Sequence, residues 1–321
     1  MVHKKWIAAA LCLPVVLPVS AWAQSSVQVS GFLDMGIYRD SDKATKLGPI
    51  QRSNIQFTGK EDLGNGLAVT FKLSHRFDTS TGANESSTKP FWHGESTVGL
   101  QGGFGSLQLG RRLDAVWAND WNYDPWGNFN SIASPAWDMW HYGVPSDIHA
   151  NSGTPDYGRL NNGIFYDSPT FGGFTLHLSG SPERVNPATD KRPYSAAVQY
   201  KNAHVSAMYG HGRNNAGSRD NFWGINGKLG NFNLMGAYDR SKFDGNQARA
   251  ITVGATYQLN QWQLRTGAGR VKVNGVEVQK MYAAGAQYNL SKRTSVYFDV
   301  ARKIYPTSKV NTFGGGIAHA F

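Results

Sequence analysis

One stretch of the chain, residues 114–157, concentrates carboxylates and indoles and excludes basic side chains. Its 44 residues contain no Lys or Arg. Six aspartates lie in it: Asp114, Asp120, Asp124, Asp138, Asp147 and Asp156. Five of the ten tryptophans also lie in it: Trp117, Trp121, Trp126, Trp137 and Trp140. Carboxylates without nearby cations create a negative field, and in a narrow passage with low-dielectric walls such a field sorts solutes by charge and dipole.

These aspartates and tryptophans each allow two interpretations. Asp114, Asp120, Asp124 and Asp138 are candidates for the acidic side of a passage, but aspartates also cap turns or pair locally, and we expect about half of the six to do so. The tryptophans either pack the stretch against a neighbouring surface or form a stacking track for sugars or aromatic solutes. Residue types alone leave both choices open.

Basic residues elsewhere recur on the polar face of alternating stretches. Five of them are Arg52, Lys72, Arg76, Arg159 and Arg265. If they face the acidic stretch, the two sets create a transverse field across a water-filled passage. We therefore assign these five residues as the candidate basic side of a constriction.

Motifs for catalysis, metal binding and nucleic-acid binding are weak. The nine histidines show no HExxH or similar ligand spacing, and neither G-x-S-x-G nor a P-loop occurs. The net charge of +10 is spread along the chain rather than gathered into a patch, which disfavours nucleic acid as a partner. The sequence therefore favours neither an enzyme nor a cofactor site, and an enzyme remains a remote alternative.

The elements that would position these residues are β-strands. Ile251, Val253 and Ala255 alternate with the small or polar Thr252 and Gly254, and the same period of two recurs along the chain. Runs of about 9–12 residues, the length of a tilted bilayer crossing, are separated by seven tight turns. Seven strand pairs with one further strand at each end predict sixteen strands, an even number typical of single-chain outer-membrane barrels.

Alternation alone does not separate a soluble β-sandwich from a membrane barrel, but two further features do. The residues that alternate with the apolar ones are polar along the whole length of the strands, which suits a water-filled lumen better than a packed core. Aromatic residues of the apolar parity cluster beside the tight turns: Phe57, Phe174, Tyr200, Phe232, Tyr257, Trp262 and Tyr288. Such a girdle is typical of one membrane interface. We predict an all-β fold, a 16-stranded antiparallel transmembrane β-barrel.

The start of the chain has the pattern of an export signal. Lys4 and Lys5 precede an apolar run, and Ala21-Trp22-Ala23 fits an A-x-A cleavage site. We expect residues 1–23 to be a cleaved signal peptide and residues 24–321 to form the barrel domain. The mature chain would then lack the single cysteine, which suits passage through an oxidising compartment.

Six short motifs, in order and at matching intervals, resemble the general trimeric porins of Gram-negative bacteria over the whole mature length. They are Ser26-Val27-Gln28-Val29-Ser30-Gly31, Gly59-Lys60-Glu61-Asp62-Leu63-Gly64-Asn65-Gly66, Val98-Gly99-Leu100-Gln101-Gly102-Gly103-Phe104-Gly105, Arg159-Leu160-Asn161-Asn162-Gly163-Ile164-Phe165-Tyr166-Asp167-Ser168-Pro169, Leu290-Ser291-Lys292-Arg293-Thr294 and Ile317-Ala318-His319-Ala320-Phe321. The resemblance implies a homotrimer in the outer membrane, in contact with lipid and lipopolysaccharide. It also implies passive diffusion of small hydrophilic solutes and ions.

Three further expectations follow from this resemblance. The long third loop, residues 114–157, would fold into the barrel and narrow it, and Arg159 matches a basic residue on the strand that leaves this loop. Terminal Phe321 would be the signal that the barrel-assembly machinery reads, or an anchor at the interface. A substrate-specific channel of the same fold is the alternative function.

The chain departs from the family pattern on the second strand. The family often has basic residues where this chain has Asn54 and Thr58, and an Arg near Ser96 where this chain has Glu95. Arg52, which shares the parity of Asn54, could replace one of the missing charges. The basic cluster is thinner than usual, so we expect weak selectivity, mildly anionic at low salt.

Overall fold

The computed structural model describes residues 26–40, 44–148 and 156–321. The predicted signal peptide, residues 1–23, lies outside these ranges, as do the first two residues of the predicted barrel domain, 24–321. Within the described ranges no helix is long and apolar enough to span a membrane.

Seventeen strands occur in the described ranges. In chain order they are β1 (Ser26–Arg39), β2 (Thr45–Gly48), β3 (Ser53–Gly64), β4 (Leu67–Phe77), β5 (Glu95–Gly102), β6 (Gly105–Leu113), β7 (Arg159–Asp167), β8 (Phe174–Gly180), β9 (Tyr194–Lys201), β10 (Val205–Arg213), β11 (Arg219–Leu229), β12 (Phe232–Phe243), β13 (Asn246–Leu259), β14 (Trp262–Val273), β15 (Val276–Asn289), β16 (Thr294–Ile304) and β17 (Lys309–Ala320).

The strands form one closed antiparallel barrel. The first half of β1 pairs with β3 and its second half with β2, so β2 and β3 are two pieces of a single barrel strand. β17 pairs with β1, which closes the sheet, and every other neighbour in the barrel is also a neighbour in the chain. The described residues therefore form a barrel of sixteen strands, and the predicted fold class is confirmed.

The period-two alternation separates the two faces of the wall as predicted. On β13 the outward Ile251 and Val253 are 42% and 57% exposed, whereas the inward Ala250 and Thr252 are 1% and 4% exposed. Apolar side chains that stay exposed along many strands form a band that suits hydrocarbon and would be unfavourable in water.

The predicted aromatic girdle forms cross-strand pairs beside the tight turns. Ring centroids lie 4.4 Å apart for Phe232 and Tyr257, and 4.9 Å apart for Trp262 and Tyr288. Phe174 and Tyr200 form a third pair at 4.8 Å. The prediction was wrong for Phe57, which lies in the middle of β3, 6.1 Å from Trp92 of the connection between β4 and β5, and so is not part of the girdle. Pairs at this spacing stabilise antiparallel neighbours and place amphipathic rings at one end of the barrel.

At the opposite end of the barrel, two hairpins have loops of only two residues. Asp244-Gly245 joins β12 to β13 and Asn274-Gly275 joins β14 to β15, and all four residues have positive φ. Asp-Gly and Asn-Gly are the sequences that such two-residue turns favour, because their twist matches that of the strands. The mouth of the barrel is therefore low on this side.

The connection between β6 and β7 folds into the barrel, as expected for the third loop. It contains a 3-10 helix, Asp120–Tyr123, and an α-helix, α1, Pro135–Met139, whose start is capped by the Ser134 hydroxyl accepting from the Trp137 N–H at 3.2 Å. Ile132, Ala133 and Met139 of the loop are at most 1% exposed, and they form one buried cluster with inward residues of the wall such as Phe222 and Met281.

Glycines in the wall make room for this loop. A Cβ at Gly224 on β11 would overlap the ring of Tyr123, and a Cβ at Gly254 on β13 would overlap Pro125. Close backbone approach of this kind requires glycine. The Ala115 N–H also donates to Ser179 on β8 and Ser195 on β9, so the loop lies against the inner wall from β8 onward and leaves the opposite wall open to the lumen.

Candidate pore constriction

A cavity of about 830 Å³ lies between the inward loop and the uncovered part of the wall. Its wall side includes Arg52, Arg76 and Arg159. Its loop side includes Trp117, Trp121, Phe129, Trp137, Asp138 and Tyr157. The structure thus brings three of the five candidate basic residues to one side of the lumen and an aromatic loop face to the other.

Arg52 reaches the lumen because the second barrel strand is interrupted just before it. The Asp34 carboxylate on β1 accepts from the backbone N–H of Ile50 at 2.7 Å and of Gln51 at 2.8 Å. These bonds replace strand pairing and fix the break between β2 and β3. The guanidinium carbon of Arg52 then lies 4.5 Å from the centroid of the Trp137 ring, a cation–π contact that links the wall to the loop.

Arg76 and Arg159 lie at the ends of two strands. Arg159 begins β7, is 5% exposed, and donates from Nε to the Gly94 carbonyl at 2.8 Å. Arg76 is the penultimate residue of β4, and its Nη1 is buried without a hydrogen-bond partner among the described residues. A buried donor that lacks an acceptor is costly, so this nitrogen would gain from an acceptor placed beside it.

Glu85, in the connection between β4 and β5, is a carboxylate that sequence reasoning missed. Its Oε1 lies 3.1 Å from Nε of Arg52, and its Oε2 lies 3.0 Å from Nε2 of His93. Burial alone would raise the pKa of Glu85, but the His93 hydrogen bond and the charges of Arg52 and Arg76 lower it to about 2. Glu85 is therefore ionised and offsets part of the charge of Arg52.

The other two candidate basic residues lie away from the cavity lining. The Nζ of Lys72 is 3.0 Å from Oε2 of Glu95, the residue that stands in place of a family arginine. Arg265 on β14 donates from Nε to Gln263 at 2.9 Å and also bonds Gln287. Both face the lumen, but both already have partners on the wall.

Two of the four candidate acidic residues serve as caps. Asp114 accepts from the backbone N–H groups of Val116 at 2.9 Å and Trp117 at 3.1 Å. Asp124 accepts from the backbone N–H of Trp126 at 2.9 Å and from the Ser134 hydroxyl at 3.0 Å. Burial raises the pKa of both carboxyls, and these hydrogen bonds limit the rise. They shape the loop and do not line the cavity.

Asp138 lines the cavity, but a lysine of the wall neutralises it. Its Oδ2 lies 2.8 Å from Nζ of Lys303 on β16 and accepts from Nε2 of Gln279 at 2.9 Å. The Lys303 side chain is 9% exposed. The parity of β16 places Lys303 inward together with Asp299, so this partner could have been found from the sequence.

Asp120 belongs to a buried cluster around His141. The Nε2 of His141 lies 2.9 Å from Oδ2 of Asp120, and Nδ1 faces Asp220 on β11 and lies 3.3 Å from Asp239 on β12. The His141 backbone N–H also donates to Asp239 at 3.1 Å, and the ring of Trp117 lies 4.3 Å from the imidazole. The cluster fastens the loop to two wall strands.

The His141 cluster carries its own compensating charge. Burial alone would lower the pKa of His141, but Asp220, Asp120 and Asp239 together raise it well above its usual value. Burial raises the pKa of Asp120 to about 6, against the effect of the His141 hydrogen bond. His141, Asp220 and Asp239 also have the residue types of a metal site, although both imidazole nitrogens already face carboxylates.

The electrostatic balance of the cavity follows from these pairings. Asp138 is paired with Lys303, Asp120 with His141, and Asp114 and Asp124 are enclosed by donors. Of the three arginines that line the opposite wall, Arg52 is paired with Glu85, whereas Arg76 and Arg159 form no ion pair with a carboxylate within the described ranges. The cavity is therefore more positive than the bare count of aspartates in residues 114–157 indicates.

Phe321 closes the barrel at the chain end. Its N–H donates to the Gly31 carbonyl at 3.1 Å, and its own carbonyl accepts from the Gly31 N–H at 3.0 Å. A Cβ at Gly31 would lie 2.6 Å from Cζ of Phe321, so only glycine leaves room for the ring. This position is compatible with either predicted role, and the assembly role stays a prediction.

A closed sixteen-stranded barrel with an apolar belt, a polar lumen and a loop folded inside it defines a porin. The sequence profile of Gram-negative porins matches residues 8–306, and the chain belongs to this family. Its cellular location is the outer membrane.

Relatives in sequence are also outer-membrane proteins. Outer membrane porin protein 32 of Delftia acidovorans is 29% identical over 317 residues, covering 88% of this chain and 85% of the relative. Major outer membrane protein P.IB of Neisseria gonorrhoeae is 29% identical over 160 residues, covering 49% of this chain and only 40% of that relative.

Solved structures share the fold. An anion-selective porin from Comamonas acidovorans superposes with a TM-score of 0.79 at 23% identity, covering 93% of this chain and all of that one. OmpT of Vibrio cholerae, solved in a trimer form, superposes with a TM-score of 0.67 at 13% identity, covering 92% of this chain and 99% of that one.

Proposed function

We propose that this porin is a water-filled channel for passive diffusion of small hydrophilic solutes, and that it passes anions more readily than cations. The observation that carries the proposal is the arginine side of the cavity, Arg52, Arg76 and Arg159, opposite a loop whose aspartates are compensated. The family and the relatives point to a channel rather than an enzyme.

The physical reason is where the uncompensated charge lies. An ion in the cavity interacts with charges on its lining, whereas charges further away are screened over about 8 Å at physiological salt. Among the lining residues, Asp138 has Lys303 beside it at 2.8 Å, while Arg76 has a buried nitrogen without a partner. An anion in the cavity is therefore stabilised and a cation is not. The name of the Comamonas acidovorans structure, an anion-selective porin, is in keeping with this preference.

The assembly we propose is a homotrimer surrounded by outer-membrane lipid and lipopolysaccharide. The trimer form of the Vibrio cholerae porin supports this proposal, as does the exposed apolar band of the wall. The mass of the purified protein in detergent tests it, since a monomeric mass under mild conditions would contradict a trimer.

The experiment that tests the channel proposal is ion conduction through planar bilayers. In a KCl gradient we expect a steady open-channel current with a reversal potential of anionic sign. The reversal potential should be largest at low mean salt, because salt then screens the field of the arginines least. Lack of conductance would overturn the channel proposal. Cation selectivity at both low and high salt would overturn the assignment of Arg52, Arg76 and Arg159 as the dominant charges.

A further inference from the structure

The tryptophans of the inward loop fall into two groups. Trp126 and Trp140 are 4% and 5% exposed, and their indole N–H groups donate to Asp299 at 2.8 Å and Thr252 at 3.1 Å on the wall. These two residues anchor the loop. Trp121 differs, because it is 56% exposed, lines the cavity, and donates from its indole N–H to Ala118 within the loop at 3.1 Å.

Neither packing nor hydrogen bonding explains the exposed ring of Trp121. Its one polar atom already has an acceptor, so the rest of the indole presents apolar surface to a water-filled lumen. Trp137, Phe129 and Tyr157 line the same cavity. An aromatic surface of this size in a polar channel is typical of a binding site, where rigid rings supply contact area at low entropic cost.

The opposite side of the cavity offers donors for a planar anion. Nη1 of Arg76 is buried without a partner, and Arg159 uses its Nε for the Gly94 carbonyl while its guanidinium lines the cavity. Arginine binds carboxylates with two parallel hydrogen bonds, and such charge-assisted bonds are about twice as strong as neutral ones. A carboxylate would therefore satisfy the buried donor.

The two sides together select the ligand class. A cavity of about 830 Å³ lies within the size range of small-molecule sites. A small inorganic anion would use the arginines and leave the rings in water. A sugar would use the rings but offer Arg76 only neutral hydroxyl acceptors, which bind a guanidinium more weakly than a carboxylate does.

We propose that the constriction binds aromatic monocarboxylates, with the carboxylate on Arg76 and Arg159 and the ring against Trp121. This proposal rests on the proposed anion channel and adds to it a preferred solute. Binding is weak enough for release to either side, so the site raises the local concentration of these acids in the passage and speeds their permeation at low external concentration.

The test is block of the chloride current through single channels by added sodium benzoate, with sodium acetate as the comparison. Both anions carry one carboxylate, but only benzoate has a ring. We expect benzoate to half-block the wild-type channel at about one tenth of the acetate concentration, a ratio that stacking of one ring supports. Equal half-blocking concentrations in the wild type would overturn the proposal, with no variant needed.

Variants then assign the contact. Trp121→Leu should move the benzoate value to that of acetate while the reversal potential in KCl stays unchanged. Trp223→Leu is the matched control, because Trp223 is 40% exposed on the outer face of β11 and should leave both blockers as in the wild type. Retained benzoate preference in Trp121→Leu would overturn the site.

Failure of this proposal can be told apart from failure of the anion channel. The reversal potential, measured on the same membranes before the blocker is added, reports the ion selectivity without any contribution from benzoate binding. An anion-selective channel that benzoate and acetate block at equal concentrations refutes only the aromatic site. A cation-selective channel refutes the proposed anion preference on which the aromatic site rests.

Discussion

Removing the charge of Arg76 should lower the anion preference by an amount that depends on salt in a predictable way. Arg76→Gln deletes the charge and leaves a shorter side chain that still donates hydrogen bonds. A sphere with the volume of the cavity, 830 Å³, has a radius of about 6 Å, and this sets the distance from a central ion to the guanidinium.

The magnitude follows from Coulomb's law with screening. At about 6 Å in water a unit charge acts on an ion by about 0.7 kcal/mol, reduced to about 0.3 kcal/mol at 0.15 M salt. The effect has opposite signs for anions and cations, so the permeability ratio should fall about threefold. At about 0.01 M salt the screening length is about 30 Å, and the ratio should fall about sevenfold. A lower effective dielectric constant in the constriction would increase both factors.

The assay is the reversal potential in KCl gradients of equal ratio but different mean concentration. Arg265→Gln is the matched control, since it removes the same charge from the lumen face of β14 at a position outside the cavity lining. Its effect should be less than half that of Arg76→Gln. Equal effects of the two substitutions, or a change that does not grow as salt is lowered, would refute the assignment of Arg76 to the constriction.

Three more predictions concern the wall, the loop and the chain end. Val253→Arg places a charge in hydrocarbon at a cost of about 2–4 kcal/mol and should impair folding into lipid vesicles, whereas Gln108→Arg on the lumen face of β6 should fold normally; equal damage would contradict the membrane barrel. The folded-state pKa of His141 is raised, so its imidazolium stabilises the loop fully below the unfolded pKa of about 6.5, and this stabilisation is lost as pH rises through the raised pKa. Open-channel current noise should therefore grow at alkaline pH. Noise that stays constant up to about pH 10 would contradict this. Phe321→Ala should slow barrel assembly in vivo more than refolding in detergent, and equal slowing would leave only the anchoring role.

Much of the barrel could be predicted from the sequence, because each strand repeats one simple rule. Residues that face the bilayer must be apolar and residues that face the water-filled lumen can be polar. Alternation of apolar and polar residues therefore identifies each strand and tells which of its residues face the lipid. The exposed Val253 and the inward Thr252 follow this rule. The break between β2 and β3 could not be predicted, since it depends on Asp34, a residue distant in sequence, accepting the backbone N–H groups of Ile50 and Gln51.

The interior was harder to predict, because parity tells which way a side chain points but not what it meets there. Thr252 faces inward as its parity indicates, yet it is 4% exposed and accepts from the indole of Trp140. Lys72 and Arg265 share the lumen face with Arg76, and only the path of the loop decides which of the three lines the cavity.

The arginine cluster of this porin shows how a charge that is missing from one strand position is supplied from another. The family's usual basic positions hold the neutral Asn54 and Thr58 here. Arg52 lies in the break before β3, where it is free of strand pairing and can reach the Trp137 ring. Its charge is partly offset by Glu85, so the field at the loop depends mainly on the charges of Arg76 and Arg159. A channel built this way should favour anions through few charges at short range, and its selectivity should therefore respond steeply to single substitutions.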